Sequence, residues 1–114
     1  MYRQGDVLLV PVNKDEVRRE DMELWPRAKG QGVILASGEA TGHHHRVREP
    51  FVAEYRDEGA RFLFVGSHGG TITHEEHDPI ALPPNTVFRI VQQREYEPVI
   101  KDNTIRQSER RVYD

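Results

Sequence analysis

Apolar residues in this chain fall in short runs, each closed by glycine or proline, and none sustains the period of a long amphipathic helix. Val7-Leu8-Leu9-Val10-Pro11-Val12 follows the turn formers Gly5-Asp6 and predicts a buried strand. Pro11 cannot donate to a ladder, so the far end of that strand is expected at a sheet edge or an exit. Gly30-Gln31-Gly32 opens a second strand, Val33–Ala36, which Ser37-Gly38 closes, and Thr41-Gly42 leads into a third over His43–Val47. Phe51–Tyr55 and Arg61–Val65 flank Asp57-Glu58-Gly59, a hairpin signal with glycine where a positive φ is wanted. Gly66–Gly70 reads as a loop. Ile80–Leu82 and Thr86–Val91 flank Pro83-Pro84-Asn85 and read as another two-strand unit around a tight turn.

Six or seven short strands, spaced about ten residues apart, predict an all-β domain built as a small barrel or sandwich. The segment from Asn13 to Lys29 interrupts them with dense charge and only sparse apolar positions, Val17, Met22, Leu24 and Trp25. It is expected to be a loop, or a helical turn around Glu16–Glu23 that Pro26 ends. Residues 1–98 then make the domain, with 13–30 as its charged loop, and 99–114 a charged edge strand or tail.

Composition narrows the chemistry more than the fold. A length of 114 residues suits one domain, and 36% apolar with 31% charged residues is globular rather than disordered. Sixteen basic against nineteen acidic residues, a formal charge of −3, argues against a protein that coats nucleic acid through bulk charge. Cysteine is absent, so disulfides and thiolate zinc sites are excluded, and a transition metal must be held by imidazole and carboxylate. No apolar run reaches the length of a membrane span and the N-terminus has no signal-peptide core, so a cytoplasmic protein is expected.

All six histidines lie between His43 and His77. On an extended strand His43 and His45 share a face, about 6–7 Å apart at the backbone, while His44 points away. That is a workable bite for one metal ion at imidazole bond lengths of about 2.0–2.1 Å. The tetrad His74-Glu75-Glu76-His77 puts two histidines on one side of a tight loop or helical turn, with two carboxylates able to orient them or to ligate. It is one residue short of the zinc-protease spacing and precedes a strand, so that identification is rejected. His68, between Ser67 and Gly69, reads as a loop residue, and Trp25 and Tyr55 as packing residues.

Gly38, His43-x-His45 and Glu49 resemble the first metal-binding motif of the cupin superfamily, in which glycine, His-x-His and glutamate follow at short intervals. Gly38 stands one place closer than in that motif. The segment His77–Ile90 resembles the second motif, with Pro83 in place and Asn85 where glycine is usual; Phe88 stands where the third histidine ligand belongs. The resemblance implies a cupin-like jelly roll holding a divalent metal through His43, His45 and Glu49, with His74 or His77 supplying the missing imidazole. The words Arg3-Gln4-Gly5-Asp6-Val7, Gly38-Glu39-Ala40-Thr41-Gly42-His43 and His74-Glu75-Glu76-His77 also resemble a group of small uncharacterised bacterial proteins, which brings no activity with it.

Three functional expectations follow. The first is one divalent metal (zinc, iron, nickel or manganese) on His43, His45 and at least one of His74 and His77, with an oxygen ligand from Glu49 or a tetrad glutamate, and an open position for activating water or dioxygen. The second drops the metal: His43 or His45 faces His74 or His77 as acid and base, Arg46 or Arg48 steadies a phosphate, and RNA is cleaved by transesterification. The third is a sensor or adaptor barrel whose histidines do no chemistry. The partner is then a small molecule or RNA, with a homodimer through edge strands as a further expectation.

Overall fold

The computed structural model of the chain describes residues 1–37 and 43–93. Gly38, Glu39 and the expected tail at 99–114 lie outside the described residues. Two antiparallel sheets account for every strand among the described residues. The first runs in the order β1 (Tyr2–Gln4), β2 (Val7–Val12), β10 (Thr86–Gln92), β7 (Ala60–Val65), β6 (Val52–Asp57) and β3 (Glu23–Trp25). The second runs β4 (Val33–Ser37), β5 (His44–Val47), β8 (Gly70–His74) and β9 (His77–Leu82). The all-β expectation holds, whereas no ladder among the described residues joins the two sheets into a closed barrel. No described helix is long and apolar enough to cross a membrane.

Alternation explains the long strands. In β2, Val7 and Leu9 are buried while Leu8 and Val10 are only half-buried, and in β7 Leu63 and Val65 face inward. Leu9 and Leu63 from the first sheet meet Leu35, Val47 and Ile72 from the second, all essentially solvent-free. Each such side chain contributes about 1.5–3 kcal/mol through burial. Pro11 lies past the end of β1, whose outermost pair is Tyr2↔Leu9, so β2 is locally an edge where the proline sits. The β6–β7 hairpin closes on Glu58-Gly59, both at positive φ, as the glycine signal predicts.

Ten strands among the described residues replace the six or seven expected. The short β1 and β8 carry few apolar residues and were hidden for that reason. The charged segment forms 3-10 turns at Lys14–Glu16 and Arg19–Asp21 and then β3, an exposed edge strand. Trp25 on β3 lies under the Arg56 guanidinium, 3.5 Å from its ring, and Tyr55 packs edge-on against Phe64. The unit around Pro83-Pro84-Asn85 is corrected: β9 pairs with β8, and β10 with β2 and β7, so the prolines carry a crossover between sheets. Two residues without N–H donors cannot continue a ladder. Asn85 takes the left-handed conformation, φ 57°, in the place where glycine would be usual.

Two bulges break the second sheet, and each is secured by a side chain from the first. On β4 the pairing shifts between Ile34↔Arg46 and Ala36↔His45, leaving Leu35 as the extra residue. Arg61 of β7 donates to both carbonyls there, to Leu35 O at 3.0 Å and Ile34 O at 3.3 Å. On β9 the pairing shifts between Ile72↔Ile80 and His74↔His77, so that Asp78-Pro79 together oppose Thr73. Gln4 of β1 donates to Asp78 O at 2.8 Å and Ile72 O at 3.3 Å. Proline within a strand is tolerated at such a bulge. The sheets are thus stitched at two corners by polar side chains, the buried Gln4 and the half-buried Arg61.

Candidate metal centre

The Gln4 corner carries the histidines. His45 lies on the inward face of β5, two residues from the fully buried Val47, and is itself only 5% exposed. His74 ends β8 and His77 begins β9, with Glu75-Glu76 as the two-residue loop between them. In the register of the rest of this ladder Asp78 would oppose His74; the bulge brings His77 there instead. The His45 ring centroid is 4.2 Å from that of His74 and 5.6 Å from that of His77, and His74 and His77 are 4.6 Å apart. One potential ligand atom from each of His45, His74 and His77 lies within 4.8 Å of the other two.

His43, half-buried, joins from the rim: its ring is 5.6 Å from His74, and Nδ1 is 3.7 Å from a Glu76 oxygen. His43, His74 and Glu75 form a second, more exposed group with donor atoms within the same distance. The expected pairing of His43 and His45 with the tetrad histidines is therefore the geometry observed. Glu49 is not brought to the imidazoles. Its Oε1 accepts the Thr71 N–H at 3.1 Å, near the opposite end of β5, so the expected oxygen ligand must come from elsewhere.

Arg46 points away from His45 and is nearly buried, pairing with Glu75 at 3.4 Å and donating to the Gln31 side-chain oxygen. With exposed Arg48, His44, Thr73, His74 and Glu75 it lines a shallow cavity of about 290 Å³. A second cavity, about 400 Å³ between Lys14, Phe51, Phe64 and Thr86, has no histidine in its wall. His68 stacks on Phe51, 5.1 Å between centroids, and takes no part in the cluster.

Sequence reasoning missed the turn between β1 and β2, which forms one wall of the site. His45 Nδ1 is 2.8 Å from Gln4 Oε1, and His45 Nε2 is 3.5 Å from Asp6 Oδ1. Between them Gly5, at φ +59°, leaves room for the rings: a Cβ there would stand 3.0 Å from His45 Cε1 and from His77 Nε2. The one available signal was Arg3-Gln4-Gly5-Asp6-Val7, whose glycine at a turn implies nothing about the imidazole of His45, 41 positions beyond Gln4.

Burial, and then the neighbouring His74 ring, hold the His45 pKa below its ordinary value of 6.5, against the pull of Asp6. Burial and His77 lower His74 in the same direction. Backbone N–H groups of Glu75 itself and of His44 lower the Glu75 carboxyl, keeping it ionised. Lowered imidazole pKa values mean the unfolded chain binds protons at a higher pH than the folded one, so stability falls as pH drops through the region just below 6.5. The metal-free protein is expected to lose urea resistance on going from neutral to mildly acidic pH, with both imidazoles titrating below 6.5 by NMR. Titration at or above that value would contradict the packing described.

A family described as a domain of unknown function (DUF8820) matches residues 3–93 of the chain, a span that includes every histidine, and the chain belongs to it. No curated protein and no solved structure matches the chain.

Proposed function

We propose that this member of the DUF8820 family binds one divalent metal ion through His45, His74 and His77. The observation that supports this is the convergence of three imidazoles from three strands, achieved by a bulge that trades Asp78 for His77 opposite His74. Tetrahedral zinc needs ligand nitrogens about 3.3–3.4 Å apart at bond lengths of about 2.0–2.1 Å. Donors already within 4.8 Å reach that separation by side-chain rotation. His77 is exposed, so one side of the site faces solvent and a fourth position is open to water or a substrate. Asp6, 3.5 Å from His45 Nε2, and Glu75, within 4.8 Å of a His74 nitrogen, are the oxygen donors beside the triad, in place of Glu49. On this reading the hairpin His74–His77 would supply the imidazole that the cupin-like motif lacks at Phe88. Zinc, iron, nickel and manganese all accept such a donor set.

His74 must give something up. Its Nδ1 accepts the Glu76 N–H at 3.0 Å, so the neutral ring carries its proton on Nε2. Ligation through either nitrogen breaks this bond: through Nδ1 by competition, through Nε2 by moving the proton to Nδ1. Titration of the protein, purified without an affinity column, with zinc is expected to saturate at one ion and to shift the Glu76 amide strongly in a nitrogen–proton spectrum. An undisturbed Glu76 amide at saturation would remove His74 from the ligand set. Failure to bind zinc, iron, nickel or manganese would end the metal reading, and histidine-dependent RNA cleavage that survives chelator would favour acid–base chemistry in its place.

A further inference from the structure

Resting on that metal reading, we propose that Gln4 is a positioning residue that decides which nitrogen of His45 meets the metal. Chemistry settles the orientation of its amide. The nitrogen lies against two carbonyl oxygens, Asp78 O at 2.8 Å and Ile72 O at 3.3 Å, and only an NH2 group is stable there. The amide oxygen therefore faces His45 Nδ1 at 2.8 Å. Two acceptors do not approach so closely, so Nδ1 carries a proton and donates it to Gln4. Burial favours the neutral ring, which has one N–H, and that leaves the lone pair on Nε2.

Nε2 is turned toward the place where a metal would sit. It lies 3.5 Å from Asp6 Oδ1, and a Cβ built on Gly5 would be 3.2 Å from it and 3.0 Å from His77 Nε2, so both nitrogens converge on one side of the turn. A lone pair facing a carboxylate and a second imidazole is poorly satisfied until a cation enters. Outer hydrogen-bond acceptors that hold the non-ligating N–H of a histidine fix its tautomer and ring orientation in this way. Gln4 also acts on the second ligand strand. Its grip on Asp78 O secures the bulge that aims His77, so one side chain, 3% exposed, holds elements of β5, β8 and β9 in register.

Long-range nitrogen–proton spectra of the metal-free wild-type protein are expected to show His45 with a protonated Nδ1 and a bare Nε2. Zinc affinity, measured by competition with a chromophoric chelator, is expected to fall about 10–100-fold in Gln4→Met. Gln4→Glu, which keeps an acceptor for Nδ1–H, should bind zinc more tightly than Gln4→Met. An Nε2–H tautomer in the wild type would overturn the assignment while leaving metal binding intact. Wild-type affinity in Gln4→Met would also overturn it. A wild-type protein that shows Nδ1–H but binds no zinc would sink the metal reading and reduce Gln4 to a structural tether. Should Gln4→Met fail to fold, the wild-type spectrum still decides.

Discussion

Replacing His45 with alanine is expected to weaken zinc binding by more than about a hundredfold, while His43→Ala costs about tenfold or less. The asymmetry follows from where each ring sits. Losing an outer hydrogen-bond partner of a ligand already costs about 10–100-fold, and losing the ligand must cost more. His45 is the buried member of the triad, and its Nδ1 is held by Gln4. His43 meets the cluster from the more exposed side, beside His74, Glu75 and Glu76. His45→Ala also leaves Gln4 Oε1 buried without its donor, at about 1–3 kcal/mol. The comparison must therefore be made well below the melting temperature, with folding checked by circular dichroism. A larger loss in His43→Ala than in His45→Ala would place the ion in the His43, His74 and Glu75 group. Unchanged affinity in His45→Ala would remove the proposed site altogether.

How far the site could be read from the sequence depends on which interactions set it. The clustering of histidines and the tight loop at His74–His77 are local, and a strand period applied to His43-x-His45 correctly sends His44 to the other face, beside Arg46 and Arg48. Gln4 and Gly5 act across 41 and 40 positions of chain, respectively, through contacts that no periodicity encodes. Glu49 illustrates the opposite error: its spacing after His45 fits a metal motif, yet the ladder delivers it to Thr71 N–H. In the fold, strands with alternating branched residues were legible. The polar β8, with Ile72 its only large apolar residue, exists because β5 and β9 pair with it on either side. The crossover at Pro83-Pro84 looked like a hairpin because a turn signal states that the chain bends, not which sheet it enters.

Arg61→Met is expected to destabilise the protein by about 3 kcal/mol, the low end of the cost of breaking a buried charge pair, because Arg56 still meets Glu54. Glu54 is 3% exposed, and Arg61 meets it with Nε at 2.7 Å and Nη2 at 3.3 Å while its other contacts hold the Ile34 and Leu35 carbonyls. Arg56 also reaches Glu54, at 2.9 Å, but its side chain is 31% exposed and rests on Trp25, so Arg56→Met should cost less. Against a total stability of about 5–15 kcal/mol the Arg61 loss is large, and urea unfolding will read it. The double variant Glu54→Leu/Arg61→Met removes the carboxylate that has lost its second partner and should recover part of the loss, though not all, because the two bulge carbonyls still lack a donor. Zinc provides the link to function. At a hundredfold excess over its dissociation constant a ligand adds about 2.7 kcal/mol to the folded state. That increment is expected to persist in Arg61→Met, since His45, His74 and His77 are held at the corner closed by Gln4 and not at the one closed by Arg61. Its disappearance would show instead that the Leu35 bulge, which sets His45 opposite Ala36, governs the ligand geometry from across the core.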